Sequence, residues 1–233
     1  MGQKGEESSE KMVKTKLVVV GDCGCGKTTF IKRYVNGDYN EAYTATGFDT
    51  YTTTYNVSST YKIQMSIWDT SGDAGYDRVR PLSYTDADLV IICFSVGNPD
   101  SLHNIVSKWH PEVREHCPVQ PIMVVGCGTD MRTDNKVIQK LERRSQTPVT
   151  YEQALKVAKQ IEALVYSEVS AKTSEKSVKD VLEVAALSSV GNKHADNPQF
   201  RRQRSFIKRK RFSEIGEAQT TLRKEAAKSC VVM

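Results

Sequence analysis

The chain has 233 residues, 39% of them hydrophobic and 26% charged, an ordinary globular composition that excludes a wholly disordered chain. No run of 18 apolar residues is present, so no membrane-spanning helix is expected. The formal charge of +5 is unevenly placed: residues 191–233 hold eleven Lys and Arg against four acids, a net +7, which leaves residues 1–190 at −2. A near-neutral body with a basic tail argues against a nucleic-acid-binding core.

In chain order, residues 1–13 are polar and carry Glu6, Glu7 and Glu10, so a disordered N-terminus is expected there, not a signal peptide. Without an export signal the six cysteines are expected to stay free thiols. Their spacing fits no zinc rule, and the four histidines do not cluster with them. Residues 14–20 (KTKLVVV) read as a buried strand, residues 21–28 as a Gly-rich turn, and residues 27–36 as a helix. Residues 48–57 are rich in Tyr and Thr. After a turn at Ser58 and Ser59, residues 61–68 alternate apolar and polar side chains with a period of two, so the pair reads as an antiparallel hairpin.

Residues 89–96 (LVIICFSV) and 122–126 (IMVVG) are continuous apolar runs, as strands covered on both faces require. Asn98 and Pro99 start a helix that is expected to end near Lys108. Residues 131–148 are a charged, helix-compatible stretch. Thr150 and Gln153 form a capping box ahead of a helix carrying Ala154, Leu155, Ala158 and Ile161. Residues 164–170 read as another strand and residues 175–189 as a last helix. Strands alternating with helices indicate an α/β fold with a mostly parallel sheet and helices on both faces. After Gly191 the periodicity stops, and a basic disordered tail is expected over residues 191–229.

Gly21-Asp22-Cys23-Gly24-Cys25-Gly26-Lys27-Thr28 matches the phosphate-loop pattern G-x-x-x-x-G-K-[ST], directly after a strand and before a helix. The glycines let successive N–H groups face phosphate oxygens, and the helix N-terminus adds its dipole. Lys27 is expected to reach the β- and γ-phosphates and Thr28 to ligate Mg²⁺. Asp69, at the end of the neighbouring strand, takes the acid role that holds Mg²⁺ through water, and the Gly72 N–H faces the γ-phosphate.

With these residues placed, the chain resembles the Ras superfamily of small GTPases and, within it, the Rho family. The segments that carry the resemblance are GDCGCGKT, YTATGFDTY around Thr46, WDTSGDAGYDRVRPLSY from Trp68, GCGTD at 126–130 and VSAK at 169–172. It implies a P-loop GTP-binding domain over residues 14–190 with a six-stranded sheet, and an insert helix at 131–148. It also implies GTP or GDP with Mg²⁺ as ligands. Asp22, Cys23, Gly24, Cys25, Gly26, Lys27, Thr28 and Thr29 would surround the phosphates. Tyr43 and Thr46 would come from switch I, with Thr46 on Mg²⁺ and the γ-phosphate. Thr129 and Asp130, with Ser170, Ala171 and Lys172, would hold the guanine. Effectors and regulators would meet switch I (residues 43–51, including Phe48, Asp49 and Tyr51) and switch II (residues 72–82, including Tyr76, Arg78, Arg80, Pro81 and Leu82). A monomer is expected.

Four departures from the family pattern bear on function. The family has Gln where this chain has Asp73; an ionised carboxylate cannot donate a hydrogen bond to water and adds charge beside the γ-phosphate. Cys23 stands where hydrolysing members have Gly, crowding the water and any arginine finger. Ser71 replaces the usual Ala. Cys127 and Gly128 replace the first two residues of N-K-x-D, so the Lys stem that covers one face of the guanine is missing, and faster exchange is expected. The first three resemble the Rnd branch, which holds GTP without hydrolysing it. Lys108 to Val113 and Pro148 to Tyr151 are more similar to the Rif and RhoD kind, which leaves a conventional cycling switch as the alternative.

The chain ends Cys230-Val231-Val232-Met233, a C-a-a-X box whose Met favours farnesylation of Cys230. One lipid gives only reversible attachment, so a second signal is needed. Residues 201–211 supply seven basic side chains in eleven, each worth about 1 kcal/mol near an anionic leaflet. Phe200, Phe206 and Phe212 add shallow insertion. A nuclear-localisation patch or a solvated linker are the other readings of this stretch. Glu6 stands where an N-myristoylation motif needs a hydroxyl, and Ser205 and Ser213 sit in basic surroundings suited to kinases. The expected location is the cytoplasmic face of the plasma membrane with a cytosolic pool, and the expected role is control of the actin cytoskeleton through effectors.

Overall fold

A computed structural model describes residues 11–39 and 46–191. The readings that fall on Tyr43, on the tail from residue 192 and on Cys230 lie outside the described residues.

Among the described residues, six strands form one sheet in the order β2-β3-β1-β4-β5-β6. They are β1 (Lys11–Gly21), β2 (Phe48–Asn56), β3 (Tyr61–Thr70), β4 (Leu89–Ser95), β5 (Ile122–Cys127) and β6 (Val165–Val169). Only β2 and β3 pair antiparallel; β1 pairs parallel with both β3 and β4. The mostly parallel sheet with one antiparallel pair agrees with the sequence reading. Burial explains the residue choice. Every residue of β4 and β5 is buried, so these strands are apolar on both faces, whereas β3 alternates buried and half-buried positions. Each Val, Ile or Leu taken fully out of water contributes about 1.5–3 kcal/mol, so this central sheet is the main source of stability.

The helices are α1 (Lys27–Asn36), α2, α3 (Asn135–Glu142), α4 (Tyr151–Gln160) and α5 (Glu175–Gly191). Here α2 is a continuous helical run made of Pro99–Asn104, a π turn at Ile105–Trp109, and His110–His116. On one face of the sheet Val18, Val20, Val90, Ile92, Phe94, Ile122 and Val124 pack with Leu102, Ile105, Trp109 and Val113 of α2 and Ala154 and Ala158 of α4. The side chains between them in sequence, such as Leu17, Val19, Ile91 and Val125, are equally buried on the opposite face.

Three expectations are corrected. The first strand begins at Lys11, inside the stretch read as disordered: Lys11, Met12 and Val13 pair with Tyr61, Lys62 and Ile63, because the long β3 offers ladder positions that far back. The helix after Asn98 does not stop near Lys108 but continues to His116. Pro111 has no N–H to donate, and it falls just after the π turn, where the His110 N–H bonds Ile105 O in the i→i+5 pattern. The last strand is trimmed to Val165–Val169, while α5 extends two residues beyond the expected end. The Thr150 and Gln153 capping box forms as read, with the Thr150 hydroxyl accepting from Gln153 N and the Gln153 side chain accepting from Thr150 N. Within 131–148, α3 is capped by the Asp134 carboxylate, which accepts from Lys136 N.

Candidate functional site

The phosphate loop leaves β1 at Gly21 and enters α1 through Gly26, which is left-handed at φ 106°. No side chain caps α1, so its first-turn N–H groups face the loop. Lys27 is buried and its ammonium donates to Gly21 O (2.8 Å) and Asp22 O (2.9 Å), which holds it over the loop. Gly72 lies against the same backbone: a Cβ there would fall 2.4 Å from Gly21 O and 2.5 Å from Cys23 N. Only glycine permits that approach.

Three oxygens expected around Mg²⁺ converge. The Thr28 hydroxyl donates to Asp69 Oδ2 at 2.6 Å and lies 2.8 Å from the Thr46 hydroxyl, which therefore donates to Thr28. Asp69 is buried at the end of β3, opposite Val19 of β1. Burial raises its pKa to about 6 against the lowering pull of the Thr28 hydrogen bond and Lys27. Its Oδ1 is buried with no hydrogen-bond partner among the described residues. Two hydroxyls and a carboxylate with an unsatisfied oxygen are a hard-oxygen donor set, and they fit a Mg²⁺ ion that keeps some of its waters.

The two altered positions are close to each other, because Gly72, the residue before Asp73, lies against the backbone N of Cys23. Cys23 is exposed, in contrast to the buried Cys25, Cys93, Cys117 and Cys127, and all five are free thiols. Burial pushes the Cys25 thiol up to about 12, so it stays protonated. Asp73 caps the 3₁₀ turn Ala74–Tyr76, its Oδ1 accepting from the Gly75 N–H at 2.7 Å. Beyond it Tyr76, Val79 and Leu82 are exposed, and the Tyr76 ring stands 6.2 Å from Phe48. An apolar strip therefore joins the two switch segments.

Arg80 does not belong to that strip. It is fully buried, bidentate to Glu112 of α2 (2.7 Å to each oxygen), bonded to Ser71 O (2.9 Å) and Asp77, and stacked 4.7 Å from the Trp109 ring. Tyr84 also donates to Glu112, and burial together with that bond raises its pKa strongly.

The residues expected to hold the guanine come together where β5 and β6 end. Gly128 N donates to Val169 O (2.8 Å), and the Ser170 hydroxyl donates to Asp130 Oδ1 (2.5 Å), so the two loops are stitched together. Ser170 Oγ also accepts from Thr173 N, while Ala171 is buried, Thr129 half-buried and Lys172 exposed. Gly128 is left-handed at φ 77°, and a Cβ there would sit 3.0 Å from Met131 Cε. One turn further, Arg132 is bidentate to Glu168 at 2.6 Å on each side and donates to Val149 O. Arg132 and Glu168 were not expected from the sequence, and nor were Asn104 and Trp109, whose side chains reach Asp22. These pairs lie 36 and more than 80 positions apart, so only their opposite charge or polarity was visible in advance.

Comparison with known proteins agrees with this geometry. The Ras family model matches residues 16–189. The Rho-related GTP-binding protein RhoE of Homo sapiens is 43% identical over 227 residues, covering 95% of this chain and 91% of that protein. GTP-binding protein rho5 of Schizosaccharomyces pombe is 44% identical over 178 residues, covering 76% of this chain and 88% of its own. GTP-binding protein RHO1 of Eremothecium gossypii is 42% identical over 181 residues, covering 78% and 86%.

Proposed function

The chain belongs to the Ras family of guanine-nucleotide-binding proteins, in its Rho branch and with Rnd-like character, and on that premise we propose that it is held in the GTP form with weak or absent hydrolysis. The observation that carries this reading is the carboxylate of Asp73, which accepts a hydrogen bond from its own turn at the position where the family places a water-orienting Gln. Cys23, exposed on the phosphate loop, adds steric hindrance close by. The ligand roles follow. Lys27 neutralises the β- and γ-phosphates, Thr28, Thr46 and Asp69 hold Mg²⁺, and Asp130, fixed by Ser170, accepts the two N–H donors of guanine. The exposed strip of Phe48, Tyr76, Val79 and Leu82 is the surface that effectors and regulators read.

A chain that does not hydrolyse GTP acts as a fixed shape, and its control passes to abundance, modification and location. The farnesylated Cys230 and the basic tail place it on the inner face of the plasma membrane, as a monomer acting through effectors on actin. The deciding experiment loads the full chain with γ-labelled GTP and adds a Rho-type activating protein. Retention of label over hours is expected. Brisk phosphate release would instead identify a conventional cycling switch.

A further inference from the structure

Among the described residues, the carboxylate of Asp22 takes its side-chain hydrogen bonds from α2. Its Oδ1 accepts from Trp109 Nε1 at 2.7 Å and its Oδ2 from Asn104 Nδ2 at 2.7 Å. The two donors are five residues apart. In an α-helix of 3.6 residues per turn, such side chains point about 140° away from each other. The π turn at Ile105–Trp109 closes that gap and brings both onto one side. Both bonds are to an ionised acceptor, the stronger kind.

Asp22 also supplies the backbone oxygen that, with Gly21 O, positions the Lys27 ammonium. A chain of direct contacts therefore runs from α2 through the Asp22 side chain to the Asp22 carbonyl and then to the lysine at the phosphates. Its far end is rigid. Trp109 is fully buried, with the Arg80 guanidinium and the Lys108 ammonium each 4.7 Å from its ring.

We propose that Asn104 and Trp109 are positioning residues for nucleotide binding, and that the π turn of α2 exists to aim both at Asp22 and so fix the phosphate loop. The inference rests on guanine-nucleotide binding at this loop. Neither residue touches the nucleotide; both act through Asp22.

The test measures release of a fluorescent guanine nucleotide from the full chain with Mg²⁺. Trp109→Phe keeps a ring under Arg80 and removes the N–H; Asn104→Ala removes the other donor from a half-buried site. Each is expected to speed release about three- to tenfold, less than the full worth of a hydrogen bond to a charged acceptor because the loss reaches the nucleotide only through Asp22. In an Asp22→Ala background neither is expected to add more than about 1.5-fold, because the shared partner is gone. A single substitution that leaves release unchanged, or effects that persist without Asp22, would overturn the proposal. A second readout needs no nucleotide. In ¹H–¹⁵N spectra Asp22→Ala should move the indole N–H resonance of Trp109, assigned by its loss in Trp109→Phe, and leave that of Trp68 in place. A Trp109 resonance indifferent to Asp22 would refute the tether. A wild-type chain that bound no guanine nucleotide would refute the function reading, and the indole resonance would still decide the tether.

Discussion

Asp73 bonds the backbone N–H of Gly75, two residues further along, through its own carboxylate at 2.7 Å. The side chain that stands at the altered hydrolysis position thus caps the first turn of switch II. An acid there both removes a donor to water and tightens the segment beside it. Asp73→Ala is therefore expected to lower stability by about 0.5–1 kcal/mol, the low end for a lost cap. Urea unfolding with an unchanged slope checks this; no change in midpoint would show that the cap is idle.

Restoring the family's residues tests the chemistry. Asp73→Gln with Cys23→Gly gives back a water-orienting amide and clears space for an arginine finger, contributions that in such enzymes reach about 10³–10⁵ in rate. Single-turnover phosphate release is expected to rise about tenfold or more with an activating protein present. A double variant as slow as the parent would locate the block elsewhere.

Arg80 is a buried cation whose charge is met by Glu112 and Asp77. Arg80→Met leaves Glu112 half-satisfied in the interior and is expected to cost about 3–5 kcal/mol. The double change Arg80→Met with Glu112→Leu is expected to recover part of that loss, since the stranded charge is then gone. Equilibrium denaturation of the four-member cycle measures both.

The Arg132–Glu168 pair ties the turn after β5 to the end of β6, beside the residues expected to hold the guanine, where the family's Lys is absent. Arg132→Ala is expected to speed guanine-nucleotide release about three- to tenfold, as loss of a bidentate pair would. Stopped-flow dissociation of the nucleotide checks it, and an unchanged rate would confine the pair to fold stability.

Gly128→Lys restores the missing stem at a left-handed position. The strain is expected to cost about 1–2 kcal/mol of nucleotide-free stability. Release should nonetheless slow, because the alkyl chain covers the guanine face. Thermal unfolding and dissociation kinetics on the same sample separate the two effects.

Features that depend on neighbours along the chain can be read before any folding is known. The phosphate loop is legible because its glycines, Lys27 and Thr28 must be contiguous to wrap an anion. The central strands are legible because β4 and β5 are buried at every position and carry no charged residue, and the α4 start because Thr150 and Gln153 cap it within one turn. Which distant groups share a charge or a proton emerges only once the chain is folded. Arg80 reads as a surface residue of switch II until Glu112, 32 positions on, is folded against it. Asp22 reads as one more loop residue until a π turn, which no local pattern announced, aims Asn104 and Trp109 at it. Hydrogen bonds and ion pairs are short-ranged and indifferent to sequence separation, so their partners become known only when the sheet and α2 bring them within 3 Å.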